Sequence, residues 1–290
     1  MKFENRIISD TVEKLINGDD YRSEIINAIN AQFFDFSVKF FKDIVEAKLN
    51  SNSIDLEWYK KYFIVRDDLK TEDIAIYAGM NKKTINNIHG SATKEIVLDV
   101  SKSNFDYLTS LIDELSIDNN NDKLYVQIKI TYNNVSVELS LTESLLVINA
   151  LATKKIAIRG GAWSSIGKKV EKPLMLKLCE LCDVKKSSIN SEVFKKDCNL
   201  DFDREIDFKI LTKDNKWLRC EVKLMGKGNP ESVDSAKARE ADIFVADTLS
   251  EQNKKQLSEW NIKYLELKNH SKKDIINKFN EILKKLNVKK

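Results

Sequence analysis

Two short apolar-rich runs separated by a polar pentapeptide limit what this chain can fold into more than any other stretch. Residues 203–211, DREIDFKIL, and residues 217–224, WLRCEVKL, each have strand length, and residues 212–216, TKDNK, supply a turn between them. The segment therefore reads as an antiparallel hairpin. Successive side chains point to opposite faces of a strand, so Glu221 and Lys223 share one face while Cys220, Val222 and Leu224 take the other. Asp207, on the first run, can face the same side across the pair, and Asp203 stands as its alternative.

A carboxylate on one strand, with a second carboxylate and an ammonium two residues apart on its neighbour, can hold a divalent cation beside a positioned water. Hydrolysis of a phosphodiester needs this: the anionic phosphate repels hydroxide unless a cation neutralises it and makes a water more acidic. Mg2+ takes oxygen ligands and keeps several waters, so one or two carboxylates place it. Asp207, Glu221 and the main-chain carbonyl of Val222 are the expected ligands. Lys223 would orient the nucleophile or stabilise charge in the transition state. Taken alone, an E-x-K triplet on a strand is ordinarily a solvent face with a weak ion pair.

The balance of 48 basic against 45 acidic residues, a net charge of +3, excludes a uniformly basic protein that coats nucleic acid and leaves room for local patches. A length of 290 residues suffices for one large or two modest domains. No signal peptide is visible and no apolar run approaches membrane-spanning length, so a soluble cytoplasmic protein is expected. Cys179 and Cys182 have zinc-ligand spacing but no second such pair. Reduced, buried thiols are the expectation for these and for Cys220.

The first half reads as helical. Over residues 21–49, Ile25, Ile29, Phe33, Phe36, Phe40, Ile44 and Leu49 form a stripe suited to a core or a dimer seam. Residues 5–17, 56–65 and 95–115 are further helices. Residues 71–90 read as a helix-turn-helix: Ala75 permits close approach, Gly79 makes the turn, and Ile85 and Ile88 pack the second helix on the first. The second helix then presents Lys82, Lys83, Thr84, Asn86 and Asn87, types able to contact phosphates and adenine edges. A plain helical hairpin would carry the same pattern. After an Asn-rich connector at residues 118–122, residues 124–131 and 135–141 alternate around Asn133 and Asn134, a two-residue hairpin turn. Residues 142–152 are expected to be helical and 155–158 a short strand.

In the second half, Ser164 or Ser165 is expected to cap a helix bearing Ile166, Val170, Leu174, Leu178 and Leu181, with a kink at Pro173. Glu171 lies beside that face; it looks toward the hairpin acids or is an ordinary solvated glutamate. Arg159, Ser164, Ser165, Lys168 and Lys169 are expected phosphate contacts, joined by Lys227 in the loop 226–230. Further strands are expected at residues 191–194, 242–247 and 262–267, with a helix at 231–240. Ser271 and Asp274 open a last helix with Ile275, Phe279, Ile282 and Leu286 inward.

A helix carrying Glu171, strands carrying Asp207 and Glu221-Val222-Lys223, then helix and strand, is an order that resembles the PD-(D/E)xK nuclease superfamily over roughly residues 160–267. Ile206 stands where that pattern has Pro. With R-G-G-x-W-S-x-x-G-K-x-x-E-K-P-L-M at residues 159–175 and the helix-turn-helix ahead, the chain is similar to type II restriction endonucleases, most to the CfrBI type. The resemblance implies an α/β (α+β) fold: a helical region at residues 1–117, a hairpin and connecting elements at 118–158, and at 159–290 a nuclease core with a mixed central sheet flanked by helices. It implies Mg2+-dependent cleavage of double-stranded DNA at a specific sequence by a homodimer. Catalysis would fall to Asp207, Glu221 and Lys223 with Glu171 in support, and a companion DNA methyltransferase would protect the host. Two other functions suit the same residues: a structure-selective repair or recombination nuclease, and a non-enzymatic helix-turn-helix regulator. The acid, acid, lysine set counts against the regulator, which has no need to place two anionic groups against phosphates.

Overall fold

The computed structural model describes residues 2–51, 56–66, 68–116, 126–191, 208–224 and 233–290. Packing divides the chain into two units, Met1–Ala28 with Gly161–Lys290, and Ile29–Gly160. The division falls inside two helices, α2 and α7. The first 28 residues therefore group with the carboxy-terminal unit and not with the helical region that follows them in sequence. No helix among the described residues is long and apolar enough to cross a membrane.

The chain opens with α1 (Lys2–Asn17) and α2 (Arg22–Leu49), the latter entering the unit of residues 29–160. There α3 (Glu57–Tyr59) runs into a π-helical turn, Lys60–Ile64, and α4 (Thr71–Tyr77), α5 (Lys82–His89) and α6 (Lys94–Ser116) follow. Their shared core is aromatic. Phe40 meets Phe63 edge-on at 5.3 Å and Tyr59 stacks on Phe105 at 5.7 Å. Glu143 is buried in the same unit and keeps its charge compensated: Trp58 Nε1 donates to it at 2.6 Å, and Lys48 Nζ lies 2.8 Å away. β1 (Ile128–Tyr132) and β2 (Val135–Leu139) pair antiparallel, Tyr132 opposite Val135. The turn between them places Asn133 at φ 48° and Asn134 at φ 64°. Asn tolerates this left-handed region best after Gly, and the local twist matches that of the strands.

The largest departure from expectation is α7 (Leu141–Leu181), one helix of 41 residues. Residues 155–158 are helical and not a strand, and Ser164 and Ser165 lie mid-helix and cap nothing. Two adjacent glycines cost about 1 kcal/mol each against alanine in a helix. Apolar stripes on both sides outweigh that cost: Leu146, Val147 and Ala150 are buried before the pair, and Ala162, Ile166, Val170 and Leu174 after it. Gly161 is exposed, and a Cβ added there meets nothing within 4 Å. Gly161→Ala is accordingly expected to raise unfolding stability by about 0.5–1 kcal/mol, read as an increased urea midpoint at unchanged slope.

In the other unit, β3 (Ile189–Asn190), β4 (Phe208–Leu211), β5 (Trp217–Lys223), β6 (Ile243–Ala246) and β7 (Lys263–Glu266) form one sheet in that order. β3, β4 and β5 pair antiparallel, whereas β5, β6 and β7 pair parallel. β3 ends at Asn190 and Ser191 is outside it; the rest of the strand expected at 191–194 lies outside the described residues. Each parallel step needs a crossover, supplied by α8 (Asp234–Ala238) and α9 (Glu251–Glu259). The terminal α10 (Lys272–Lys285) is capped by Ser271, whose side chain accepts from the Asp274 N–H. Its buried face is Ile275, Phe279, Ile282 and Leu283, with Leu286 only half-buried.

Candidate active site

The β4–β5 hairpin forms as its sequence demands. Phe208 pairs with Cys220 and Leu211 with Trp217. Thr212 closes the turn: its N–H donates to the Lys216 carbonyl at 2.8 Å, and its hydroxyl accepts from the Lys216 N–H at 3.0 Å. Asn215 supplies the left-handed residue at φ 57°.

Register then sorts the two faces of the sheet. Glu221 lies beside Phe244 and Lys223 beside Ala246, and Phe244 and Ala246 belong to the core shared with α8 and α9. Cys220 points the other way, beside Cys179 of α7. α7 and α8 thus approach β5 from opposite faces. Glu171 is buried on α7, in line with Leu174, Met175 and Leu178.

Glu221 is fully buried. A buried carboxylate keeps its charge only when paired, and this one is paired twice. Lys223 Nζ sits 3.0 Å from Oε1. Arg239, which ends α8, donates from Nη1 to Oε1 at 2.8 Å and to Oε2 at 2.7 Å. Sequence reasoning missed Arg239: eighteen positions separate it from Glu221, and no periodicity joins a strand to the far end of the next helix. The nearby Lys237 is engaged elsewhere, 4.8 Å from the Trp260 ring centroid.

Asp207, its alternative Asp203, Lys227 and Cys198 lie outside the described residues. Among the described residues, no group of three or more His, Cys, Asp or Glu side chains is placed to hold a metal ion. Hard oxygen donors suited to Mg2+ are nevertheless at hand in the Glu221 carboxylate and the Val222 carbonyl.

The expected DNA-contact residues occupy two helices. On α5, Lys83, Thr84, Asn86 and Asn87 are exposed and Lys82 is half-buried. Asn81 caps the helix by accepting from the Thr84 N–H at 2.8 Å, and Gly90 ends it at φ 68°. Ile85 is buried with Ile74, Ala75 and Val97. Ile88 is 66% exposed, so one isoleucine and not two holds α5 against its neighbours. On α7, Arg159, Ser164, Ser165, Lys168 and Lys169 are all exposed. None sits at a helix N-terminus.

Cys179, Cys182 and Cys220 are free and buried. Burial pushes the thiols of Cys179 and Cys182 up to about 12 and about 11, with the Lys290 charge opposing it at Cys182, and pushes that of Cys220 well above the ordinary thiol range. A folded-state pKa raised above its unfolded value gives stability that is complete below the unfolded pKa and lost as pH rises toward the folded one. The urea midpoint is therefore expected to hold up to about pH 9 and fall between about pH 9 and 12.

The fold and site define a mixed α/β protein, consistent with the restriction-endonuclease-like class, with a buried acid and a lysine near the end of its central strand. Over residues 5–254 the chain matches the family model described as CfrBI restriction endonuclease. It belongs to the CfrBI restriction endonuclease family and is a type II restriction endonuclease, a site-specific deoxyribonuclease. No curated protein and no solved structure matches the chain.

Proposed function

We propose that the protein cuts both strands of DNA at one short sequence by Mg2+-dependent phosphodiester hydrolysis, with its chemistry at the β4–β5 hairpin. One observation carries this reading: Glu221 and Lys223 share a face of β5, and Phe208 pairs with Cys220. Asp207 directly precedes Phe208 in the sequence. Asp207, Glu221 and the Val222 carbonyl would hold Mg2+; Glu171 lies on α7, which packs on the other face of β5. Bound there, the ion neutralises phosphate charge and makes a water more acidic. Lys223 is the only one of these groups that donates hydrogen bonds. It orients the attacking water or meets the charge that develops on the phosphate.

The helix-turn-helix of α4 and α5 would bring Lys82, Lys83, Thr84, Asn86 and Asn87 to the duplex, the lysines to phosphates and the asparagines to base edges. Arg159, Ser164, Ser165, Lys168 and Lys169, with Lys227, extend the phosphate contacts. A homodimer suits a palindromic site. Phe34 and Val38, one turn apart on α2 and 61% and 55% exposed, offer apolar surface for it. A companion methyltransferase protecting the same sequence completes the system.

Digestion of several unrelated plasmids with Mg2+ and with a chelator tests the reading. Discrete fragments that map to one shared sequence, and no cutting in chelator, are the expected result. Cutting that follows branched or flapped DNA whatever its sequence would replace it with a structure-selective nuclease. Sequence-specific binding without any nicking would leave only the regulator.

A further inference from the structure

Arg239 engages both oxygens of the Glu221 carboxylate, the group that would ligate a divalent ion. Its Nη1 lies 2.8 and 2.7 Å from the two Glu221 oxygens, and Lys223 Nζ lies 3.0 Å from one of them. The fully buried carboxylate therefore already has two cations on it. Mg2+ ligates a carboxylate oxygen at about 2.0–2.1 Å. With the guanidinium in its present position, that would crowd three positive groups onto one carboxylate in low-dielectric surroundings, where like charges repel most strongly.

The Arg239 main chain is held independently of its side chain. Its N–H donates to the Ser235 carbonyl at 3.0 Å, and its own carbonyl accepts from Arg219 Nε at 2.9 Å. The side chain is 27% exposed, so the guanidinium can turn toward solvent while the backbone stays in place.

We propose that Arg239 is an internal counter-ion that closes Glu221 to divalent metal and has to be displaced before the ion is held. This rests on the reading of Glu221 as a metal ligand. In the metal-free protein the arginine neutralises a buried charge that would otherwise be costly. When metal enters, that task passes to the ion. The free protein then binds metal more weakly than its ligands alone would allow, because the affinity is reduced by the fraction of molecules in which Glu221 is open.

The test is calorimetric titration of Mn2+, an oxygen-seeking stand-in for Mg2+, into the full chain and its variants. Arg239→Gln is expected to bind Mn2+ at least about tenfold more tightly than the unaltered protein, the scale of one charged hydrogen bond. Its thermal midpoint, lowered in chelator, is expected to recover with saturating Mn2+ as the ion replaces the missing cation. A merely structural arginine would lower the midpoint in both conditions and tighten nothing. Arg239→Lys keeps the charge with weaker geometry; it is expected to bind Mn2+ with intermediate strength, and it carries the test if the Gln variant does not fold. If Glu221→Gln binds Mn2+ as well as the unaltered protein does, the ligand reading of Glu221 fails and takes the proposal with it. If Glu221→Gln loses binding while neither Arg239 variant binds more tightly, the counter-ion proposal alone is overturned.

Discussion

Glu221→Gln is expected to slow DNA cleavage by a factor on the order of 1,000 or more, because metal-derived charge stabilisation is worth several kcal/mol and each 1.36 kcal/mol is tenfold in rate. The amide keeps the volume and one acceptor oxygen, so Arg239 Nη1 and Lys223 Nζ, now within 2.7–3.0 Å of a carboxylate oxygen, retain a weaker partner. The loss should therefore appear in single-turnover nicking of supercoiled plasmid and not as unfolding. Lys223→Ala separates the roles further. Glu221 would still be held by Arg239 at both oxygens, so the circular dichroism spectrum should be preserved, while the rate falls by roughly 100-fold or more if the ammonium meets transition-state charge. Cleavage by Glu221→Gln at the unaltered rate would remove β5 from the chemistry.

Gly18→Ala is the substitution expected to damage the fold most, at a cost on the order of 3 kcal/mol. Gly18 ends α1 at φ 75°. Its N–H donates to the Leu15 carbonyl at 3.2 Å, and the next N–H, of Asp19, to the Lys14 carbonyl at 2.9 Å, a Schellman closure that calls for a left-handed residue. A Cβ there would also stand 2.0 Å from the His270 carbonyl oxygen. Backbone cannot step aside as a side-chain tip can. Gly79 makes the contrast: at φ 76° its added Cβ meets Asn149 Nδ2 at 2.1 Å, a terminal amide that can rotate away, so Gly79→Ala should cost about 1–2 kcal/mol. Thermal scans of the two variants compare them directly, at roughly 2–4 °C per kcal/mol for a chain of this kind. Equal shifts would mean that the His270 carbonyl yields.

Local chemistry in the sequence settled a good part of this molecule. Glu221 and Lys223 share a face because strand side chains alternate, whatever packs on them. Asn133 and Asn134 turn β1 into β2 because few other residues tolerate two successive positive φ values. Ser271 starts α10 because its oxygen can accept from an N–H three residues on. Each of these is decided within a few residues by covalent geometry and one hydrogen bond.

Other features needed groups that are distant along the chain. A strand at residues 155–158 and a new helix capped at Ser164 or Ser165 are the expectation from sequence, yet α7 runs through both and through Gly160 and Gly161, since buried residues on either side contribute more than two glycines cost. α1 joins the carboxy-terminal unit because the bend at Gly18 lies against His270, and because Tyr21 donates to Asp247 at 2.8 Å, 226 positions away. Arg239 reaches Glu221 only because the parallel β5–β6 crossover folds the end of α8 back over its own strand. Periodicity reports which way a residue points along its own element. Which charge meets it there is set by how elements stack, and that is decided by burial summed over the whole unit.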